Sequence, residues 1–289
     1  MIHDFLFAPF TELEFMRRAL VGAFALALGG GPVGVFLMLR RMSLTGDAMA
    51  HAILPGAAVG YLISGLSLGA MTIGGIAAGI TVALLSGAVS RFTTLKEDAS
   101  MAAFYLISLA LGVTIVSIRG SNIDLLHVLF GSVLALDDAT LLLLAGVASI
   151  TLIVMALILR PLILDSVDPG FLRSVSRSGA PVHMLFVALV VLNLVAGFHA
   201  LGTLLAVGLM MLPAISARFW VDDITKTILL AILLGMFSSF AGLLASYHFS
   251  VPSGPAIILA AGCVYLVSLL IGRRDGLLLR LLPRQHLAA

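Results

Sequence analysis

The chain has 289 residues, of which 61% are hydrophobic and 10% charged, with a mean hydropathy of +1.19. Soluble domains carry roughly 25% charged residues, so a water-soluble globule is excluded: too few charges remain to cover a surface around so much apolar bulk. The formal charge of +2 lies in short basic clusters, with no stripe able to track a phosphate backbone, so nucleic acid is not an expected partner.

Asp4, Glu12 and Glu14 precede the first long apolar run, and no basic region opens the chain. That run is therefore expected to stay as a helix and not to be a cleaved signal. Because about 20 apolar residues cross a bilayer, spans are expected at 18–39, 47–66, 68–90, 100–118, 138–159, 182–199, 201–217, 226–247 and 254–272. The count is nine, with eight or ten as alternatives, and the stretch 119–136 reads as a short re-entrant or interfacial helix. One transmembrane domain, 1–289, of an all-α polytopic protein is implied, its 29 glycines suiting close helix packing.

Between the first two spans stand Arg40 and Arg41, and further basic residues recur at Arg91 and Lys96, at Arg160, Arg173 and Arg177, at Arg218, and from Arg273 to Arg284. All of these fall on the cytoplasmic side if the N-terminus is outside and the C-terminus inside. Arg17, Arg18 and Arg119 fall on the other side.

The second span opens with RRMSLTGDAMAHAILPGAAVGYL. Asp47 and His51 are four residues apart, which on a helix puts both on one face within reach of one ion. A carboxylate with an imidazole suits zinc, manganese or ferrous iron better than calcium or magnesium. Ionisable groups inside a span are costly and line cavities or pathways. On spacing alone a second reading stands beside this one: Asp47 caps the helix at the interface and His51 hydrogen-bonds a neighbour. Two ligands are also too few for a closed site, so others are expected from elsewhere in the fold or from a second subunit.

Further along, Asp124 and His127 in SNIDLLHVLFG, His199 in GFHALG and His248 in SYHFSVPSGP are candidate additional ligands, all toward the outer face. Taken singly, each reads more readily as an interfacial or hydrogen-bonded residue. The longest polar loop runs from Arg160 to Pro181 and contains DPGFLRSVSR, expected as a short helix with Asp168 or Pro169 near its start and Gly179 after its end. It reads either as a docking surface for a soluble partner or as a solvated connection. Met210 and Met211 are expected as packing, and Pro213 as a kink. VPSGP, Val251 to Pro255, is expected as a turn into the last span or a broken helix, and Cys263 as a buried, inert thiol. No GxxxxGK[ST] is present for ATP hydrolysis by that route, and no HExxH accompanies the Asp47–His51 pair.

Four blocks in order carry a resemblance over nearly the whole length: GPVGVFLMLRRMSLTGDAMAHAILPG, DLLHVLFGSVL, GTLLAVGLMMLPAISARF and VPSGPAIIL. Together they resemble the membrane permease subunits of the ABC importers for zinc, manganese and iron, the first block being most similar to zinc uptake permeases. The resemblance implies a homodimeric permease in a bacterial inner membrane, bound to a cytoplasmic ABC ATPase dimer and served by an extracytoplasmic metal-binding protein. It implies no enzyme activity in the chain and no permanently bound cofactor. Transported zinc is expected first, manganese second and iron third. Asp47 and His51 match the family's intramembrane metal-binding pair, and the stretch holding Asp168, Phe171, Arg173 and Gly179 matches its ATPase-coupling region in position. His127, His199 and Ser250 depart from the residues common at those places. An ATP-independent carrier or channel is the alternative, and an intramembrane hydrolase a distant third.

Overall fold

In hydrocarbon a backbone N–H or C=O left unpaired is expensive, and a helix pairs them within one segment. A computed structural model describes residues 2–65, 67–95, 97–118, 133–176, 179–274 and 276–278, and all extended regular structure among them is helical. The helices are α1 (Ile2–Glu12), α2 (Glu14–Leu39), α3 (Ser43–Ala52), α4 (Leu54–Ser64), α5 (Leu68–Phe92) and α6 (Glu97–Ile118). They continue as α7 (Asp138–Val167), α8 (Pro169–Val175), α9 (Gly179–Leu201), α10 (Thr203–Arg218), α11 (Ile224–Phe249) and α12 (Ser253–Ile271).

Among the described residues six helices, α2, α5, α7, α9, α11 and α12, are long and apolar enough to cross a bilayer, and α6 and α10 carry shorter apolar stretches. The expected span 47–66 is divided. Pro55 has no N–H to offer the carbonyl of His51, and the chain breaks at Ile53 into α3 and α4. The expected boundary at His199–Gly202 is a sharp one: Gly202 takes φ +87°, a left-handed value that ends α9 and starts α10 with no intervening loop. VPSGP forms a turn after left-handed Ser250, with Ser253 already the first residue of α12.

Two expectations need correction, and one helix was not expected. The loop expected from Arg160 begins only at Asp168, because α7 continues through Pro161 to Val167. The charges that suggested a loop ride on the helix, where Asp165 is neutralised by Arg40. Residues 2–12, given no element above, form α1, held by Phe10 stacked on Phe240 with ring centroids 5.1 Å apart. Cys263 is exposed, not buried. It shares an apolar groove with Trp220, Leu234 and Phe237, on a helix that also exposes Leu259, Leu266 and Val267. In a bilayer such a face meets lipid tails.

Small residues set how the helices meet. Gly30 and Gly34 of α2 lie on Met210, and Ala214 one turn on also meets Gly34, so α2 and α10 run parallel. Gly56 faces Gly74 and Gly60 faces Ala70 across an antiparallel α4–α5 seam, a small-xxx-small contact in which backbones touch. Gly75 and Gly79 of α5 meet Val195 and Val191 of α9, again antiparallel. Asn193 of α9 donates to Thr151 of α7 at 2.7 Å. Helices α2 and α9 are the most enclosed of the long helices, and the buried core holds Phe36, Met49, Ile53, Phe186, Met210 and Met211, so the two methionines pack as expected.

Candidate metal site

The segment bearing Asp47 and His51 is delivered by a tight turn. At the end of α2 the N–H of Arg41 bonds the carbonyl of Met38 and the N–H of Met42 bonds that of Leu37, a Schellman arrangement. Arg41 occupies the left-handed position at φ 58°, where glycine is the usual residue. Ser43 then opens α3, so Asp47 lies in the middle of that helix, and its N-cap position belongs to Met42. The reading of Asp47 as a helix cap is therefore set aside.

Asp47 Oδ1 and His51 Nε2 lie 4.0 Å apart. That is too long for a hydrogen bond, and just within the span of two ligands each about 2.1 Å from a shared ion. The Asp47 side chain is 64% exposed and that of His51 26%. With Leu44, Val59 and Ile63, also exposed, they form one uncovered stripe along α3 and α4. The inner nitrogen of His51, Nδ1, is buried without a hydrogen-bond partner among the described residues, and its ring lies 6.2 Å from that of Tyr105 on α6. The break beside the pair is stabilised from α6 too: the Ser108 hydroxyl donates to the carbonyl of Ala52 at 2.9 Å, a carbonyl freed where the helix is interrupted.

The other candidates are not gathered here. Asp124 and His127 lie outside the described residues. His199 sits in the last turn of α9 beside Phe198, both ring nitrogens buried and unpartnered among the described residues. His248 is exposed in the last turn of α11, edge-on to Tyr247. No group of three or more His, Cys, Asp or Glu able to hold a metal occurs among the described residues.

The expected short helix is α8. The Asp168 carboxylate accepts from the N–H of Phe171 at 2.8 Å, as an N-cap should, and Pro169 takes the first helical position. Phe171 is 53% exposed while Leu172 beside it is buried, and Arg173 lies on the same helix. Gly179 is not a terminator for α8, which ends at Val175; it opens α9 and rests 3.6 Å from Leu172, measured from the position of an added Cβ.

Three residues assigned no site role from the sequence meet at the foot of α8. Arg40, the last residue of the α2 end, forms an ion pair with Asp165 of α7, their side chains only 8% and 12% exposed. Its guanidinium also donates to His183 Nδ1 of α9 at 3.0 Å and lies 5.1 Å over the Phe186 ring. Since arginine only donates, His183 accepts with its proton on Nε2. The available signal was a carboxylate in the apolar run LILDSV, which needs a partner of opposite charge.

The profile of the ABC 3 transport family matches residues 12–272. The manganese import system permease protein ScaB of Streptococcus parasanguinis is 32% identical over 264 residues, covering 91% of this chain and 93% of that protein. The manganese transport system membrane protein MntC of Halalkalibacterium halodurans is 30% identical over 277 residues, covering 96% and 94%. Among solved structures, PsaBC from Streptococcus pneumoniae in complex with Fab superimposes with a TM-score of 0.84 at 30% identity, over 95% of this chain and 98% of that one. An inward-facing putative metal-chelate type ABC transporter shares the fold at a TM-score of 0.68 and 16% identity, over 87% and 84%. The helical bundle, the near-complete coverage and the profile agree, and the chain belongs to the ABC 3 transport family of membrane permeases.

Proposed function

We propose that this chain is the translocation subunit of an ATP-driven importer for a divalent transition metal, with manganese first, zinc second and iron third. The zinc-first order expected from the opening block is revised on the names of the relatives, which specify manganese, and on the carboxylate of Asp47, a ligand type that suits manganese. One observation carries the reading. Asp47 stands in the middle of α3 and His51 in its last turn, Asp47 without a capping role, on an uncovered stripe and at a spacing one ion can bridge.

The mechanism follows from that geometry. A partly dehydrated ion arriving from outside is met by one carboxylate and one imidazole, which replace some of its water but leave most of its coordination shell to water or to other groups. Two ligands give a brief stop and not a storage site. The uncovered stripe supports a second copy of the chain as the opposite wall. The exposed Phe171 on capped α8 supports docking of a cytoplasmic ATPase dimer there, with α8 on the inner side of a bacterial inner membrane, the N-terminus outside and the C-terminus inside. An extracytoplasmic metal-binding protein then delivers the ion. ATP hydrolysis belongs to the partner.

The test is reconstitution with the ATPase and binding protein in vesicles, measuring ATP-dependent uptake of manganese and zinc in competition for wild type, Asp47→Ala and His51→Ala. Both variants are expected to lose uptake while still assembling. Unchanged uptake in both would remove Asp47 and His51 from the pathway, and uptake that persists without ATP would favour the carrier reading.

A further inference from the structure

We propose that Arg40, Asp165 and His183 are positioning residues that transmit movement of α8 to the helix carrying Asp47 and His51. This rests on the reading of the chain as an ATP-driven permease.

The three residues come from three separate helix ends. Arg40 terminates α2, Asp165 lies in the last turn of α7, and His183 in the first turns of α9. On one side the cluster touches α8. Asp168 both ends α7 and caps α8, so the two helices share a residue, three positions beyond Asp165. A Cβ on Gly179 would lie 3.8 Å from Asp165 Oδ1 and 3.6 Å from Leu172, the buried residue by which α8 seats. On the other side the cluster leads along the chain into α3. Only Arg41 and Met42 separate Arg40 from Ser43, and their backbone is fixed by the two Schellman hydrogen bonds. A displacement of the α7–α8 corner therefore acts on Asp165, through its ion pair on Arg40, and through a stiff turn on α3.

Stability alone is a poor account of such a cluster. Removing two charges from water costs much of what their attraction returns, and apolar residues of similar volume often serve a core equally well. What a buried pair does supply is a fixed register between the elements that carry it, together with a discrete way of breaking it. The Arg40 guanidinium is constrained by the carboxylate, the imidazole and the Phe186 ring at once. Arginine's planar fork suits this and lysine's point charge does not. Coupling between sites is carried by packed, hydrogen-bonded elements of this kind, and the evidence that establishes it is energetic.

The experiment uses the assembled complex of permease, ATPase and binding protein in vesicles, loaded with manganese, and reads metal uptake per ATP hydrolysed. Variants are Asp165→Asn, which keeps size but removes charge, Asp165→Glu, which restores the carboxylate, and His183→Gln. Asp165→Asn is expected to hydrolyse ATP near the wild-type rate while uptake per ATP falls about tenfold, within the usual range for coupled sites. Asp165→Glu is expected to recover part of that loss, and His183→Gln to show a smaller one. The proposal is overturned if the ratio is unchanged in Asp165→Asn and His183→Gln, or if hydrolysis and uptake fall in proportion. It is equally overturned if none of the three variants assembles, since the cluster would then serve folding alone. Failure of the permease reading looks different: the wild-type complex itself would show no ATP-dependent uptake.

Discussion

Replacing Gly56 by alanine tests whether the second half of the broken span is fixed by backbone contact. A Cβ there would stand 2.6 Å from the carbonyl carbon of Gly74 and 2.7 Å from the Cβ of Ala78, where ordinary contact begins at 3.4 Å. The α4–α5 seam would have to open by at least about 0.8 Å, the Gly74 carbonyl oxygen standing nearer still, against helix backbones that interior packing does not let bend cheaply. Overpacking by one methyl costs about 1–3 kcal/mol, and alanine's helix preference over glycine returns about 0.5–1 kcal/mol. Because the clash is with backbone atoms the cost falls in the upper half of that range, and the expected outcome is a net loss of about 1–2.5 kcal/mol for Gly56→Ala. Gly87→Ala, on α5 with no heavy atom within 4 Å of the added carbon, is expected to gain about 0.5–1 kcal/mol and serves as the control. Unfolding by SDS titration in mixed micelles reads both. If Gly56→Ala were as stable as wild type while Gly87→Ala showed its gain, the seam would not be held at backbone distance and the reasoning would be refuted.

Ser108→Ala withdraws the donor from the Ala52 carbonyl and is expected to cost about 0.5–2 kcal/mol in the same titration, with Ser108→Thr close to wild type. Arg41→Gly relieves a left-handed arginine and is expected to stabilise by about 1 kcal/mol, seen as a raised melting temperature in detergent; a lower one would mean that the Arg41 side chain contributes more than its backbone strain costs. Hydrogen bonds from the Thr140 side chain and then its backbone N–H hold the Asp137 carboxyl below its usual value of 3.8 at the start of α7. A depressed folded-state value means the contribution is complete above the unfolded value and is lost as pH falls through the folded one. Exchange protection of the Thr140 amide, corrected for intrinsic rate, is therefore expected to stay flat from about pH 7 to about pH 4 and to fall below that, and to lose this dependence in Asp137→Ala.

Hydropathy made most helices legible, because a bilayer imposes its own length on every span and the chain has few ways to obey it. The Asp47–His51 pair was legible for a similar reason: a helical repeat converts a spacing of four into proximity. What composition hid was the partition of the second span. Pro55 was visible, but whether a proline ends, bends or merely interrupts a helix depends on what satisfies the freed carbonyls, and Ser108 is 56 positions from Ala52 in sequence. The Arg40–Asp165–His183 cluster was hidden more completely. Arg40 was read only as a marker of sidedness, and Asp165 as part of a loop. Their meeting is decided by the packing of α2, α7 and α9, for which no local spacing rule exists. Charges and a proline near 160 suggested a chain leaving the membrane, whereas an ion pair lets α7 carry a carboxylate one and a half turns further, from Arg160 to Asp165.

The break at Ile53 has a consequence for how such a permease can change over generations. It leaves α4 tied to α5 by glycine contacts that admit almost no substitution, while the ten residues of α3 meet the bundle without a comparable glycine seam. On the proposed reading of the site, substitutions at Leu44, Asp47 and His51 can accumulate in α3 without requiring compensating changes across the α4–α5 seam. A library confined to Leu44, Asp47 and His51 therefore varies the uncovered stripe of α3 and keeps its buried residues Thr45, Gly46, Ala48, Met49, Ala50 and Ala52 in place.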